Sequence, residues 1–331
     1  MTNNDTTGLT RRHLLAGGSL LASGLATPAL AQMGALPDRP IRIVCPHGPG
    51  GASDTWARIV AEPMAAALGR TVVIENKPGA STMLAAETVA RARPDGTTLL
   101  MGSVTTLSIN PSLFPNIRYD AAKDFAPLSI VATAPMALAV PNNLPARNVA
   151  ELVALAKARP GALNYGSPGA GTSPHLTGAL FASMTGIDVV HVPYRTAAES
   201  ELALMQDEIH FAFSGGYLPG IRAGRVRGLA MTSLRRSSLA PDLPTVAEQG
   251  LPEFESSVWN GLLVPAGTPE EAVRALVQAI RTACQRPEVA RSFADIGAEV
   301  VGSSPQDFAE AITGERVKWS QVIRNAGLQG S

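Results

Sequence analysis

Two cysteines in 331 residues are too few for a disulfide scaffold, and aromatic residues make up only 5% of the chain. A small secreted domain stapled by disulfides is thereby excluded. An excess of either charge is lacking too, because 27 basic residues stand against 27 acidic ones. A near-neutral chain with few aromatics offers no electrostatic footprint for nucleic acid or anionic lipid. No run of about 18 apolar residues follows the N-terminal segment, so no membrane span is expected there. The five histidines are scattered without metal-ligand spacing and no paired-cysteine motif occurs, so neither metal nor cofactor is expected.

What is present begins with an export address over residues 1–31. Thr10-Arg11-Arg12-His13-Leu14-Leu15 is a twin-arginine pattern, a weakly apolar stretch runs from Leu14 to Ala26, and Ala29-Leu30-Ala31 is an A-x-A-type cleavage site. A general secretory signal that happens to carry two arginines is the alternative. Cleavage before Gln32 leaves 300 residues, room for two domains. Cys45 and Cys284 can pair in an oxidising compartment, but the strand-like apolar run around Cys45 points to a buried free thiol.

Short β-branched runs alternate with amphipathic helices, the pattern of α/β units with mixed or mostly parallel sheets. Strands are expected over 41–45, 71–75, 98–102, 128–131, 136–140, 189–192, 209–213, 228–231 and 262–264. Helices are expected over 53–68, 82–92, 148–159, 174–185, 199–206, 269–285, 287–297 and 305–325, with a bend at Pro63 in the first. Residues 128–140 read as one extended segment broken at Ala134-Pro135, and 257–264 can return beside it. Two such crossings are what a hinge needs. The chain divides accordingly into a discontinuous lobe, 33–135 plus 257–331, and an inserted lobe, 136–256.

The first strand empties into Pro46-His47-Gly48-Pro49-Gly50-Gly51-Ala52-Ser53-Asp54 and then into a helix. Backbone N–H groups in such a turn can close on a small anion, helped by the positive end of the helix dipole. Ser167-Pro168-Gly169-Ala170-Gly171-Thr172-Ser173-Pro174-His175 repeats the design, with Ser173 as a good N-cap and Pro174 suited to the first helical position. A plain tight turn accounts for either loop alone. The pair, one in each lobe, suggests two arms facing each other across a cleft. Neither loop carries a lysine or an evident catalytic constellation. Tyr165-Gly166-Ser167-Pro168-Gly169 lacks the first glycine of a nucleophile elbow, and no dinucleotide fingerprint or Gly-Lys-Ser/Thr phosphate loop occurs. An exported hydrolase acting through Ser173 is the enzyme alternative.

At this point the sequence resembles the solute-binding proteins of tripartite tricarboxylate transporters, the Bug family. The resemblance runs through Pro40-Ile41-Arg42-Ile43-Val44, Pro49-Gly50-Gly51 with Asp54, Glu75-Asn76-Lys77-Pro78-Gly79-Ala80, Arg93-Pro94-Asp95-Gly96 and Asn110-Pro111. It continues at His191-Val192-Pro193-Tyr194, Leu243-Pro244-Thr245-Val246-Ala247-Glu248, Pro265-Ala266-Gly267-Thr268-Pro269 and Lys318-Trp319. It implies a two-lobe periplasmic-binding-protein fold of type II-like architecture, no catalysis, and a small organic carboxylate held between the lobes. It also implies a monomer in the periplasm that delivers its ligand to membrane transporter subunits, or alternatively presents it to a membrane sensor kinase.

Carried over residue by residue, the resemblance places one grip at Pro49, Gly50, Gly51, Ser53 and Asp54. The second grip falls at Ser167, Gly169, Gly171, Thr172, Ser173 and His175. Ser103-Val104-Thr105-Thr106, leading to Asn110, lines the cleft in relatives, which brings in Thr105 and Thr106. Four departures bear on the ligand. His47 stands where relatives commonly carry an aromatic residue, Thr196 where a glycine often occurs, and Ser214 where an aspartate is frequent. Ser81-Thr82-Met83 also replaces a more glycine-rich continuation. Loss of the acid at Ser214 disfavours an amino-acid ligand against a plain or aromatic carboxylate.

Overall fold

A computed structural model describes residues 36–329, and the leader expected over 1–31 lies outside the described residues. Strand β1 (Ile41–Cys45) is buried except at Arg42, as a strand covered on both faces must be. It leads to α1 (Ala52–Leu68), β2 (Val72–Asn76), α2 (Met83–Ala90) and β3 (Thr98–Ser103). One turn of π-helix at Thr105–Ile109 then runs into α3 (Asn110–Leu113), before β4 (Phe125–Pro135). The chain continues through β5 (Ala137–Val140), α4 (Val149–Ala158), β6 (Leu163–Ser167), α5 (Ser173–Thr185), β7 (Val189–Pro193) and α6 (Ala197–Met205). Next come β8 (Phe211–Ser214), α7 (Tyr217–Arg222), β9 (Arg227–Met231) and β10 (Ser257–Pro265). It closes with α8 (Glu270–Cys284), α9 (Pro287–Asp295), β11 (Glu299–Val300) and α10 (Pro305–Asn325).

Two sheets result. One has six strands in the order β11-β4-β10-β3-β1-β2, and the other has five in the order β7-β6-β8-β5-β9. Each is parallel where strand–helix–strand units build it and antiparallel where the chain crosses over. The β2-β1-β3 and β7-β6-β8 portions are parallel, and β10 and β5 run against their neighbours. Ile41, Ile43, Trp56, Val60, Met64, Leu276, Ile280 and Phe293 form the core between the first sheet and helices α1, α8 and α9. Helix α10 packs its Phe308, Trp319 and Ile323 into a second core that also holds Phe181, Phe211, Phe213 and Phe254 from the other lobe.

The connection between the lobes is made of two extended crossings. Strands β4 and β10 pair antiparallel along their whole length, down to Ser257 opposite Pro135. Thr232, at the end of β9, ties the two chains where they enter the second lobe. Its hydroxyl accepts from the Met136 N–H at 2.8 Å and donates to the Ser256 carbonyl at 2.5 Å. A second tie comes from β11, where the Glu299 carboxylate accepts from the Ser237 hydroxyl at 2.5 Å and the Ser238 N–H at 2.9 Å.

Strand β6 was not among the expected strands because Asn164, Tyr165, Gly166 and Ser167 carry no β-branched run. Its glycine is explained by crowding, since a Cβ on Gly166 would sit 2.4 Å from the Ile209 side chain. Helices α3 and α7 and strand β11 are too short to give a periodic signal. Helix α1 runs unbroken through Pro63. Both cysteines are free and buried, and burial, with the Asp54 charge added, pushes the Cys45 thiol up to about 12.

Candidate ligand-binding cleft

Each lobe contributes one glycine-rich turn that feeds a helix, and the two turns line a single cleft of about 860 Å³. In the first, Gly50 sits at φ +78 and Gly51 is the N-cap of α1. Gly51 has no room for a side chain, because a Cβ there would lie 2.7 Å from the Cβ of His47. Asp54 ties the turn together from behind. Its carboxylate accepts from the Gly50 N–H, the Asn76 side-chain amide and the Arg58 guanidinium, each at 2.9 Å. Those bonds, Arg58 first, outweigh burial and hold the Asp54 carboxyl down at about 2. Asn76 also donates to the His47 carbonyl at 2.8 Å.

The second turn uses different side chains for the same task. The Ser167 hydroxyl donates to the Gly169 carbonyl at 3.0 Å, and Thr172 donates to the same carbonyl at 2.7 Å. Gly169 and Gly171 take φ +125 and +74, conformations in which a Cβ would be strained. The Gly171 N–H donates to His175 Nδ1 at 3.0 Å, and the His175 ring stacks on His191 at 3.8 Å between centroids. His191 Nε2 meets the Ser167 hydroxyl at 2.7 Å. Burial, with His191 adding to it, drives His175 down to about 4.

Neither helix caps its N-terminus with a side chain. The backbone N–H groups of Ala52, Ser53 and Asp54 in α1, and of Ser173 and His175 in α5, meet no acceptor among the described residues. Ala52 of the first helix and Thr172, Ser173 and Pro174 of the second lie on the wall of the cleft. Among the described residues, no Asp, Glu, Lys or Arg lines it. The cleft therefore offers positive dipole ends and N–H donors without a single fixed cation, which suits a small anion.

Of the residues expected at the site, His47, Thr105, Gly171, Thr172 and Ser173 line the cleft. Pro49 and Gly50 are exposed on its flank, while Gly51, Ser53, Asp54, Thr106, Ser167 and Gly169 stand outside the lining and several of them brace it. His175 faces a separate 480 Å³ cavity that it shares with His191, Tyr165 and Asn325. Thr196 is exposed and caps α6 by accepting from the Glu199 N–H. Ser214 donates to Glu201 at 3.2 Å, away from the lining.

Ser81, Thr82, Phe114 and Asn260 line the cleft without having been singled out as ligand contacts. For Thr82 the signal was the glycine-poor Ser81-Thr82 pair itself. Ala80, Ser81 and Thr82 follow one another at φ +45, +51 and +77. A left-handed non-glycine residue costs about 1–2 kcal/mol, so three in a row must be held. Asn110 does so, donating from its buried amide to the Ser81 carbonyl at 2.6 Å and to the Thr82 hydroxyl at 3.2 Å.

Residues 56–328 match the sequence profile of the tripartite tricarboxylate transporter family receptor, TctC. The chain belongs to this family. BugT of Bordetella pertussis is 32% identical over 324 residues, covering 97% of this chain and 99% of its own. Among solved structures, an R. palustris protein with adipate is 33% identical at a TM-score of 0.73, covering 88% of this chain and 98% of its own. MatC from Rhodopseudomonas palustris, with bound malate, is 31% identical at 0.71, covering 87% and 100%. The TctC fold seen here is thus the two-lobe fold of periplasmic binding proteins, and its role is solute binding rather than catalysis. No helix among the described residues is long and apolar enough to cross a membrane.

Proposed function

We propose that this TctC-family chain is exported to the periplasm, captures a small organic carboxylate between its lobes and delivers it to the membrane subunits of a tripartite tricarboxylate-type transporter. The lobes in this reading are 33–135 plus 257–331 and 136–256, rocking about the paired β4 and β10 crossings and the Thr232 tie. The observation that carries the proposal is the convergence of two side-chain-free helix N-termini, one from each turn, on one cleft without charged walls. A charge-assisted hydrogen bond contributes about 1.5–3 kcal/mol net. Four such bonds, with burial of a small organic body, reach the roughly 8 kcal/mol of a micromolar complex. The adipate and malate found with two relatives support a carboxylate class.

Calorimetric titration against di-, tri- and aromatic carboxylates tests the proposal, and silence across the panel overturns it. Ala52→Asp is the matching variant. It sets a carboxylate on the cleft wall at the first helical position, where an acid favours the helix by about 0.3–1 kcal/mol. Carboxylate binding should fall more than about a hundredfold while the melting temperature holds or rises.

A further inference from the structure

Hydrogen-bond polarity in the cleft is fixed by groups in its wall and behind it. The Ser53 hydroxyl has one proton, and it is donated to Asn260 Oδ1 at 3.0 Å. Ser53 must therefore accept from its other neighbour, His47 Nδ1, at 2.9 Å. With the proton on Nδ1, neutral His47 keeps a lone pair on Nε2, and that nitrogen has no partner among the described residues. A relay fixes Thr82 with the opposite sign. The Thr106 hydroxyl donates to Thr82 Oγ1 at 2.9 Å, and the Asn110 amide donates to the same oxygen at 3.2 Å. Both lone pairs of Thr82 Oγ1 are used, so its own O–H is left to donate. His47 and Thr82 both line the cleft, one as a pure acceptor and the other as a pure donor.

An ionised carboxylate is acceptor-only, so a plain di- or tricarboxylate satisfies Thr82 and leaves His47 Nε2 facing nothing it can bond. The missing donor is not an ammonium group, because no acid lines the cleft to offset its burial. We propose that the cleft is built for a hydroxylated carboxylate, with His47 as the specificity-determining residue that accepts from the ligand hydroxyl. This rests on the carboxylate reading above and narrows it.

Pairs of carboxylates that differ by one hydroxyl test it, such as succinate with malate and glutarate with 2-hydroxyglutarate. Leaving a buried acceptor unpaired weakens binding by about ten- to a hundredfold, so the hydroxylated member of each pair should bind more tightly by that factor. His47→Phe should bring the ratio to within about threefold of unity, and His47→Gln, whose amide can donate to Ser53 and accept from the ligand, should retain part of it. Equal affinities in the native protein, tighter binding of the plain acids, or a preference that survives His47→Phe overturns this inference while leaving the carboxylate reading standing. Failure of every acid to bind overturns both.

Discussion

Gly171 touches the other lobe, and that contact separates folding from closure. A Cβ at Gly171 would lie 2.8 Å from Leu113 Cδ2, and Leu113 belongs to α3 of the first lobe. Gly171→Ala therefore carries two penalties of different kinds. The residue sits at φ +74, where alanine is strained by about 1–2 kcal/mol in the open and closed forms alike. That strain lowers the melting temperature by a few degrees and cancels from ligand affinity. Under the lobe closure proposed above, overlap with Leu113 arises only when the lobes meet, and overpacking of this sort costs about 1–3 kcal/mol. The dissociation constant should rise about tenfold, since every 1.4 kcal/mol is a factor of ten. Leu113→Ala in the Gly171→Ala background removes the obstructing methyl group, so a double-mutant cycle should return a favourable coupling in affinity and little in stability. A lowered melting temperature with an unchanged dissociation constant would refute the assignment of this contact to the closed form.

Two further outcomes follow from the same network. The unfolded chain protonates His175 near the ordinary value of about 6.5, whereas the folded chain does so only at about 4. Between those values the unfolded state holds the extra proton, so stability falls as pH drops from about 6.5 to about 4 and then levels for this group, by ~2 kcal/mol after screening. Melting temperature against pH should show that slope, and His175→Gln should make it shallower, with His47, His191 and His210, also lowered by burial, supplying the remainder. Asn110→Ala frees the strained Ala80–Thr82 turn and leaves the Ser81 carbonyl without its donor. A loss of about 2–3 kcal/mol by chemical denaturation is expected, with weaker ligand binding, and an undiminished stability would show that the turn holds itself.

Much of this architecture was legible because it rests on local chemistry. The two glycine-rich turns are visible as runs of small residues between a strand pattern and a helix pattern, and both line the cleft. The π-turn at Thr105–Ile109 and the return of Asn260 on β10 were less accessible. Asn260 reaches the cleft through pairing with β3 and β4, whose partners lie over 120 positions away in sequence. The return of 257–264 beside 128–140 is visible as two extended runs, but spacing does not say which of its side chains lines the cleft. His175 illustrates the reverse case. Its place beside a glycine turn suggested ligand contact, but a helical residue two positions past the start of α5 points its ring backwards, under the loop, where it accepts from Gly171 and stacks on His191.

The absence of fixed charge on the cleft wall has a consequence for release. A salt bridge decays only as the inverse of distance and would still pull on a departing anion across several ångströms. Hydrogen bonds from backbone N–H groups fail within about an ångström of stretching or a modest misalignment. A clamp made of dipole ends is therefore short-sighted. If the lobes rock as proposed, it holds an anion firmly at contact and lets it go after a small rotation of one lobe, so the opening motion needed for release can be slight. The same property makes capture insensitive to salt, because little of the attraction extends as far as a Debye length.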